Sequence, residues 1–453
     1  MIKTYLQILI VAVAVGSLVS CTNQSVSEQK QKGQKMDDDS LLTLVQRQTF
    51  QYFWDGAEPT SGMARERIHI DGEYPQNDQD VVTLGGSGFG VMGILVGIER
   101  GFISRQEGVD RLTHIADYLA KADRYEGAWP HWLHGPTGKA KAFSNKDDGG
   151  DLVETAFMAQ ALICVREYFK EGNEEEQRLA SKSNSLWKGI NWNHYRQNGQ
   201  NVLYWHWSPT QGWAANHPIQ GYDECLITYV LAASSPTHGV PAEVYHEGWA
   251  RGGAIVSSAV KYGHPLILKH NAPNDGVGPL FWSHYSYLGL DPRGLKDQYA
   301  DYWQVNTNHA LIHHDYCIEN PKGYKGYGEN GWGLTASYSL KGYDAHNPDN
   351  DLGVISPTAA LSSFPYTPEY SMQMIRYLYE ELGDKVWGKY GFYDAYSETE
   401  DWYPQRYLAI DQGPIPVMIE NHRSGLLWNL FMKAPEIKVG LKKLGFESTQ
   451  HPL

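Results

Sequence analysis

Asp147-Asp148-Gly149-Gly150-Asp151-Leu152-Val153-Glu154-Thr155 runs straight into the apolar segment Ala156 to Phe169, and the reading of that junction decides the fold around it. Taken locally it is a helix start. Asp151 is then the N-cap and Glu154 the third helical residue, an Asp version of the capping box. That reading leaves Asp147 and Asp148 as extra negative charge with nothing local to offset it. A cleft built for acid/base chemistry is one place where such repulsion is kept.

Outward from this junction the chain has a helical rhythm. Ser40, preceded by Asp37 to Asp39, caps a stripe of Leu41, Leu42, Leu44, Val45, Phe50 and Phe53. Gly85-Gly86-Ser87-Gly88-Phe89-Gly90 lacks the spacing of a dinucleotide loop, because Val91 stands where glycine is needed. It is no nucleophile elbow either, with Phe89 in the second glycine position, so it reads as a close-packed helix start. Ser104 with Glu107 is a capping box ahead of Leu112, Ile115, Ala116 and Leu119. Further helical segments are predicted near 174–192, 223–233, 241–262, 303–319, 357–363, 368–382 and 412–433, and strand-like alternation is scarce.

Between them lie long connections at 123–150, 193–222, 264–302, 320–356 and 384–411, alternating with short ones. Loops of that length are uncommon in compact domains unless they carry function. If the helices pair antiparallel, the long loops emerge on one side. The expected fold is therefore all-α, a toroid of helical hairpins with aromatic-rich loops on one face. No linker interrupts 40–435, so 40–453 is expected to be a single catalytic domain.

The chain is acidic, with a net charge of −14, which argues against nucleic acid as a partner. Its 15 Trp and 30 Tyr exceed what a Leu/Val core needs, and many sit in loops as flat surfaces suited to sugar rings. Lys3 and the apolar run Tyr5 to Val15 form a signal h-region ending in Leu18-Val19-Ser20-Cys21, a bacterial lipobox. Residues 1–20 are thus expected to be a lipoprotein signal peptide, Cys21 the lipidated residue and 21–39 a flexible tether. The expected location is the outer membrane, facing the periplasm or the cell surface, with the lipid as the sole membrane contact. Cys164, Cys225 and Cys317 are expected to be buried free thiols.

Among the motifs, the 18 His residues show no His-Glu-x-x-His pattern and His313-His314 cannot share a helix face, so no metal and no cofactor is expected. Trp129, His131, Trp132 and His134 in one loop, and Tyr204-Trp205-His206-Trp207 in another, read as platforms with polar edges. Packing within the loop is the default for any one of them; two clusters on one face point to ligand contact. Glu224, in Gly221-Tyr222-Asp223-Glu224, is a second acidic point at a helix start following a long loop. Glycoside hydrolysis needs two carboxyl groups, one protonated for the leaving oxygen and one ionised for water or sugar. Asp394, Glu398, Glu400, Asp401, Asp411 and Glu420 are later acids, each a candidate for the second group and each also readable as solvated surface.

Phe53-Trp54-Asp55-Gly56-Ala57, Gly62-Met63-Ala64-Arg65-Glu66-Arg67, the 85–90 glycines, the 147–155 stretch and Gly221 to Glu224 together resemble the bacterial glucoamylase-like proteins. Within that group they are most similar to glycoside hydrolase family 144, which includes endo-β-1,2-glucanases. The resemblance covers 40–435. It implies an (α/α)6 barrel, an inverting mechanism, no metal, and functional acids at Asp147, Asp151, Glu154 and Glu224. Glu224 is then the expected general acid, with Asp151 and Glu154 binding substrate or assisting water activation. Arg65, Trp205, Trp207 and Tyr222 are expected sugar contacts on chemical grounds. The expected activity is a glucanase releasing oligosaccharides from β-1,2-glucan. The alternatives are an exo-acting glucosidase and an inactive glycan-binding lipoprotein; oligomeric state is left open.

Overall fold

The computed structural model describes residues 35–74 and 78–453; the expected signal peptide, the expected lipidation at Cys21 and most of the expected tether lie outside the described residues. Helices form at Asp38–Trp54 (α1), Leu84–Glu99 (α2), Arg105–Leu119 (α3), Leu152–Phe169 (α4), Glu174–Lys188 (α5) and Leu226–Ser234 (α6). In the second half they form at Tyr302–Glu319 (α7), Pro357–Leu361 (α8), Pro368–Arg376 (α9), Ala409–Gln412 (α10), Pro414–Arg423 (α11), Leu426–Met432 (α12) and Pro435–Lys443 (α13). Residues Asp38–Leu453 make one unit, mostly helical.

Why α2 and α4 lie innermost follows from their composition. In α2 every residue from Leu84 to Gly97 is buried, and in α4 every residue except Tyr168. A helix apolar all round has no face to offer water and is enclosed on every side. The glycines of α2 let the two helices touch. A Cβ on Gly88 would sit 2.8 Å from the Phe157 carbonyl oxygen and 2.9 Å from the Met158 backbone. The neighbours α3 and α5 are amphipathic, each begun by a capping box, Ser104/Glu107 and Asn173/Glu176. Thus α2 packs on α1, α3 and α4, and α4 on α5, α6 and α12.

Three helical expectations change. The segment 241–262 holds one wide turn, Val244–Trp249, and a short turn at Arg251–Gly253 before a small hairpin. Arg251, Gly252 and Gly253 all have positive φ, which ends the helix there. Residues 412–433 form three pieces rather than one helix. Pro414 starts α11 and Gly425, at φ 70°, separates it from α12. The last helix, α13, was not expected.

The long connections also contain short antiparallel pairings. Val81–Thr83, Trp132–His134 and Lys139–Lys141 make a three-stranded sheet, and Gly150–Asp151 pairs with His206–Trp207. Strands of two to four residues are too short to show alternation in sequence. Cys164, Cys225 and Cys317 are free and buried, as expected. Among the described residues no helix is long and apolar enough to cross a membrane.

Candidate active site

Asp151 ends a two-residue strand and caps α4. Its Oδ1 accepts from the N–H groups of Val153 (3.0 Å) and Glu154 (2.9 Å). The capping box expected with Glu154 does not close. The Asp151 N–H donates to the Trp129 carbonyl, and Glu154 turns outward to accept from the Gly85 N–H at 2.6 Å. The first turn of α4 is therefore tied to the first turn of α2 through a carboxylate.

The remaining oxygens of the acidic stretch face two histidines. Strand pairing sets Asp151 opposite His206, and the sheet strand Trp132–His134 follows His131. His131 Nδ1 lies 3.3 Å from Asp147 Oδ2 and 3.3 Å from Asp151 Oδ2; His206 Nε2 lies 3.3 and 3.5 Å from the same two atoms. The Trp205 indole N–H also donates to Asp151 Oδ2, at 3.2 Å. Burial alone would raise the Asp151 carboxyl, but His131 and His206 override it and hold it below the ordinary carboxylate range. Burial likewise lowers both imidazoles and the carboxylates outweigh it, leaving His206 at about 9 and His131 well above its usual value. Glu154 is pushed up to about 7, chiefly by burial.

Glu224 sits just ahead of α6, half-buried. Burial first, then the adjacent Asp223, then Glu154 and Asp151, push its carboxyl well above the usual value. Asp223 stays beside it as a turn former, accepting from the Cys225 N–H at 2.9 Å.

A second acidic pair comes from the far end of the chain. Asp394 and Asp411 are each 3% exposed. Asp394 Oδ2 accepts from the Tyr338 N–H at 2.8 Å; Asp394 Oδ1 and both oxygens of Asp411 have no partner. Burial and their mutual repulsion raise Asp411 well above the carboxylate range, and burial pushes Asp394 up to about 6. The Tyr285 hydroxyl is raised mainly by burial, and further by the negative charges of Asp411, Glu224 and Glu154.

A cavity of about 600 Å³ opens onto this site, lined by His131, Phe143, Asp147, Trp205, His206 and His217. Its walls are flat. His131 stacks on Phe143 with centroids 4.1 Å apart and planes 7° apart, and Trp205 stacks on His217 at 5.0 Å. Flat aromatic walls beside paired carboxyl groups suit a sugar chain.

Residues 216–435 match the family described as "Putative glucoamylase". The solved endo-β-1,2-glucanase from Chitinophaga pinensis, a complex with sophorotriose and glucose, is 66% identical, with a TM-score of 0.90 over 91% of this chain and 99% of that one. The chain belongs to glycoside hydrolase family 144. The β-1,2-glucanase structure from Parabacteroides distasonis is 43% identical, TM-score 0.85, over 91% of this family 144 chain and 60% of its own. A curated exo β-1,2-glucooligosaccharide sophorohydrolase (non-reducing end) of Parabacteroides distasonis is 44% identical, and the chain spans 58% of its length. An endo-β-1,2-glucanase from Talaromyces funiculosus, 12% identical with a TM-score of 0.63, shares the fold.

Within the family 144 chain, Asp147, Asp151, Glu154 and Trp205 come together as one cluster, and Glu224 is close enough to feel Glu154 and Asp151. The other expected sugar contacts are placed elsewhere. Tyr222 is wholly buried, its hydroxyl donating to Asn306 Oδ1 at 2.6 Å and its ring stacked on His270, so it cannot stack on a ligand. Arg65 is committed to the Gln79 carbonyl and Asp80. Trp207 points to the opposite side of its strand from His206 and packs near Tyr125 and His194. Trp129 is buried beneath Arg124, 4.0 Å above its ring, not a platform. His131 and His206, read only as platform edges, turn out to hold the acids. No helical spacing could have flagged them, because they arrive from two separate loops.

Proposed function

We propose that this chain is a glycoside hydrolase that cuts β-1,2-glucan within the chain and releases oligosaccharides. The observation that carries the reading is the gathering of acids around Glu224, whose carboxyl is raised by burial, by Asp223 and by the nearby Glu154 and Asp151, with a second buried pair, Asp394/Asp411, also raised. Glu224 donates its proton to the glycosidic oxygen as the bond to C1 breaks. Two carboxyls sharing one proton keep one negative charge, and that charge accepts the proton of the water that attacks C1 from the opposite face. Inversion at C1 follows from attack by water rather than by a side chain. Glu154, fixed on the Gly85 N–H, binds the substrate or orients that water, and Asp147 and Asp151 hold the wall that carries Trp205.

The relative at 66% identity supports the endo reading, since the chain aligns with 99% of it. The fold that goes with this reading is an (α/α)6 toroid, with α2 and α4 inner and α3 and α5 outer. Residues 40–453 form the catalytic domain, and Cys21 anchors it to the outer membrane by lipid, the polysaccharide being its one partner. A product profile over linkage-defined glucans tests the function. A ladder of oligomers from β-1,2-glucan, and none from other linkages, is expected. Release of a single small product from the first minutes would favour exo cleavage, and no new reducing ends from β-1,2-glucan would sink the proposal.

A further inference from the structure

We propose that Tyr343, on a hairpin seated beside Asp394 and Asp411, positions the substrate: its ring covers one face of a glucose unit and its hydroxyl bonds that sugar. The role rests on the hydrolysis of β-1,2-glucan proposed above.

In the hairpin, Ala336–Ser339 pairs antiparallel with Gly342–Ala345. Two strands alone are marginal in water, so what holds them decides where they lie. The inner strand Ala336–Ser339 is buried throughout, whereas Gly342, Tyr343 and Asp344 on the outer strand are exposed. Tyr338 fixes the inner strand. Its N–H donates to Asp394 Oδ2 at 2.8 Å, its hydroxyl accepts from Arg67 Nη1 at 3.2 Å and lies 2.9 Å from His69 Nε2, and the Arg406 guanidinium sits 5.8 Å from the centre of its ring. These partners belong to the elements that bring in the two aspartates. Arg67–His69 pairs with Arg406–Leu408, the Asp394 N–H donates to the Arg406 carbonyl at 2.9 Å, and Leu408 leads directly into α10, which holds Asp411.

Tyr343 is the residue directly across from Tyr338, and residues so opposed share a face of the ladder. The two rings meet edge to face, with centroids 6.3 Å apart and planes at 80°. Tyr338 is 6% exposed and Tyr343 is 53% exposed. Among the described residues the Tyr343 hydroxyl makes no hydrogen bond. Burial first, then Asp411, Glu66, Asp394 and Glu154, raise that hydroxyl well above its usual value, so the end of the side chain is crowded on the side of the acids while more than half of the residue stays open. An open aromatic ring with an unused hydroxyl beside carboxyl groups suits a pyranose. The ring covers an apolar sugar face, and a phenol can both donate to and accept from a sugar hydroxyl. The hairpin thus offers beside Asp394 and Asp411 a flat surface like the one that Trp205 and His217 make near α4.

Tyr343→Ala, Tyr343→Leu and Tyr343→Phe are compared with the wild type and with Leu340→Ser, which changes a residue 52% exposed at the tip of the same hairpin. Initial rates on β-1,2-glucan give kcat and KM, and calorimetry with a β-1,2-linked glucose oligomer in the Glu224→Gln background gives Kd without turnover. Tyr343→Ala and Tyr343→Leu should each raise KM and Kd roughly tenfold, since neither keeps a flat ring. Tyr343→Phe should recover most of that loss, and Leu340→Ser should match the wild type. Unchanged KM and Kd in the Ala and Leu variants overturn the proposal. An equal loss in Leu340→Ser does so too, because hairpin placement rather than the ring would then be at work, and so does a loss confined to kcat with Kd unchanged. A wild type that neither binds nor cuts β-1,2-glucan sinks the hydrolase reading and this role together; a wild type that cuts it, with Tyr343→Ala indistinguishable, sinks this role alone.

Discussion

At Glu224 the chemistry comes from where the carboxyl sits rather than from what it is. Half-buried and beside Asp223, with Glu154 and Asp151 near, its carboxyl is pushed toward keeping a proton that a solvated glutamate would lose. Glu224→Gln removes the proton donor but keeps the shape. It is expected to lower kcat by about 10²–10⁴-fold while sparing oligosaccharide binding, measured by calorimetry. Because the acting form is the protonated one, activity should fall as pH rises through the raised pKa, and this basic limb should be absent from the residual activity of the Gln variant. A limb that persists unchanged in Glu224→Gln would remove Glu224 from that role. Asp411→Asn tests the other side. If the Asp394/Asp411 pair supplies the base, the loss should be of similar size and should appear in kcat rather than KM.

At the scale of elements, the α2/α4 contact and the caps make separable demands. Gly88→Ala puts a methyl against the backbone of Phe157 and Met158, which cannot move aside as a side chain would. It is expected to cost about 1–3 kcal/mol, read from the denaturation midpoint. Activity should drop as well, since Glu154 reaches Gly85 across the same contact. Ser104→Ala removes only the cap of α3, on the far side of that helix pair. It should cost about 1 kcal/mol and leave kcat unchanged. Equal effects of the two changes on activity would mean that the α2/α4 spacing does not set the site.

For the whole molecule, buried ionisable groups pull stability in opposite directions with pH. His270, His284, His309 and His313 are buried and held neutral, with His284 at about 3 and His309 at about 4, chiefly through burial. Their folded values lie below the ordinary histidine value of about 6.5. Their stabilisation is complete above that pH and is lost as pH falls toward the folded values. Asp394 is the reverse: raised to about 6, it favours the fold at low pH and ceases to as pH rises through that value. Four histidines outweigh one aspartate, so thermal melts from pH 4 to pH 8 should show stability rising with pH and levelling off above about 6.5. A melting temperature flat across that range would mean that these groups do not titrate with unfolding.

Local signals in the sequence were enough for whatever depends on residues a few positions apart. The Ser104 capping box, the Asp151 cap, the glycine-rich start of α2 and the all-round apolarity of α4 set those helices and their depth, because caps and periodicity act within a turn or two. Where local signals competed, as at Arg251 to Gly253 and at Ser424-Gly425, apolar periodicity alone ran the helix too long. The site was legible as a set of acids, Asp147, Asp151, Glu154 and Glu224, but not as an arrangement. Tyr222 reads as a flat sugar contact until the core closes over it, and Asp394 and Asp411 read as surface acids until folding buries them side by side. Only the tertiary structure could set His206 opposite Asp151 and His131 beside them. Each of those contacts closes a loop of tens of residues, and no spacing in the chain records which distant side chains will share one small space.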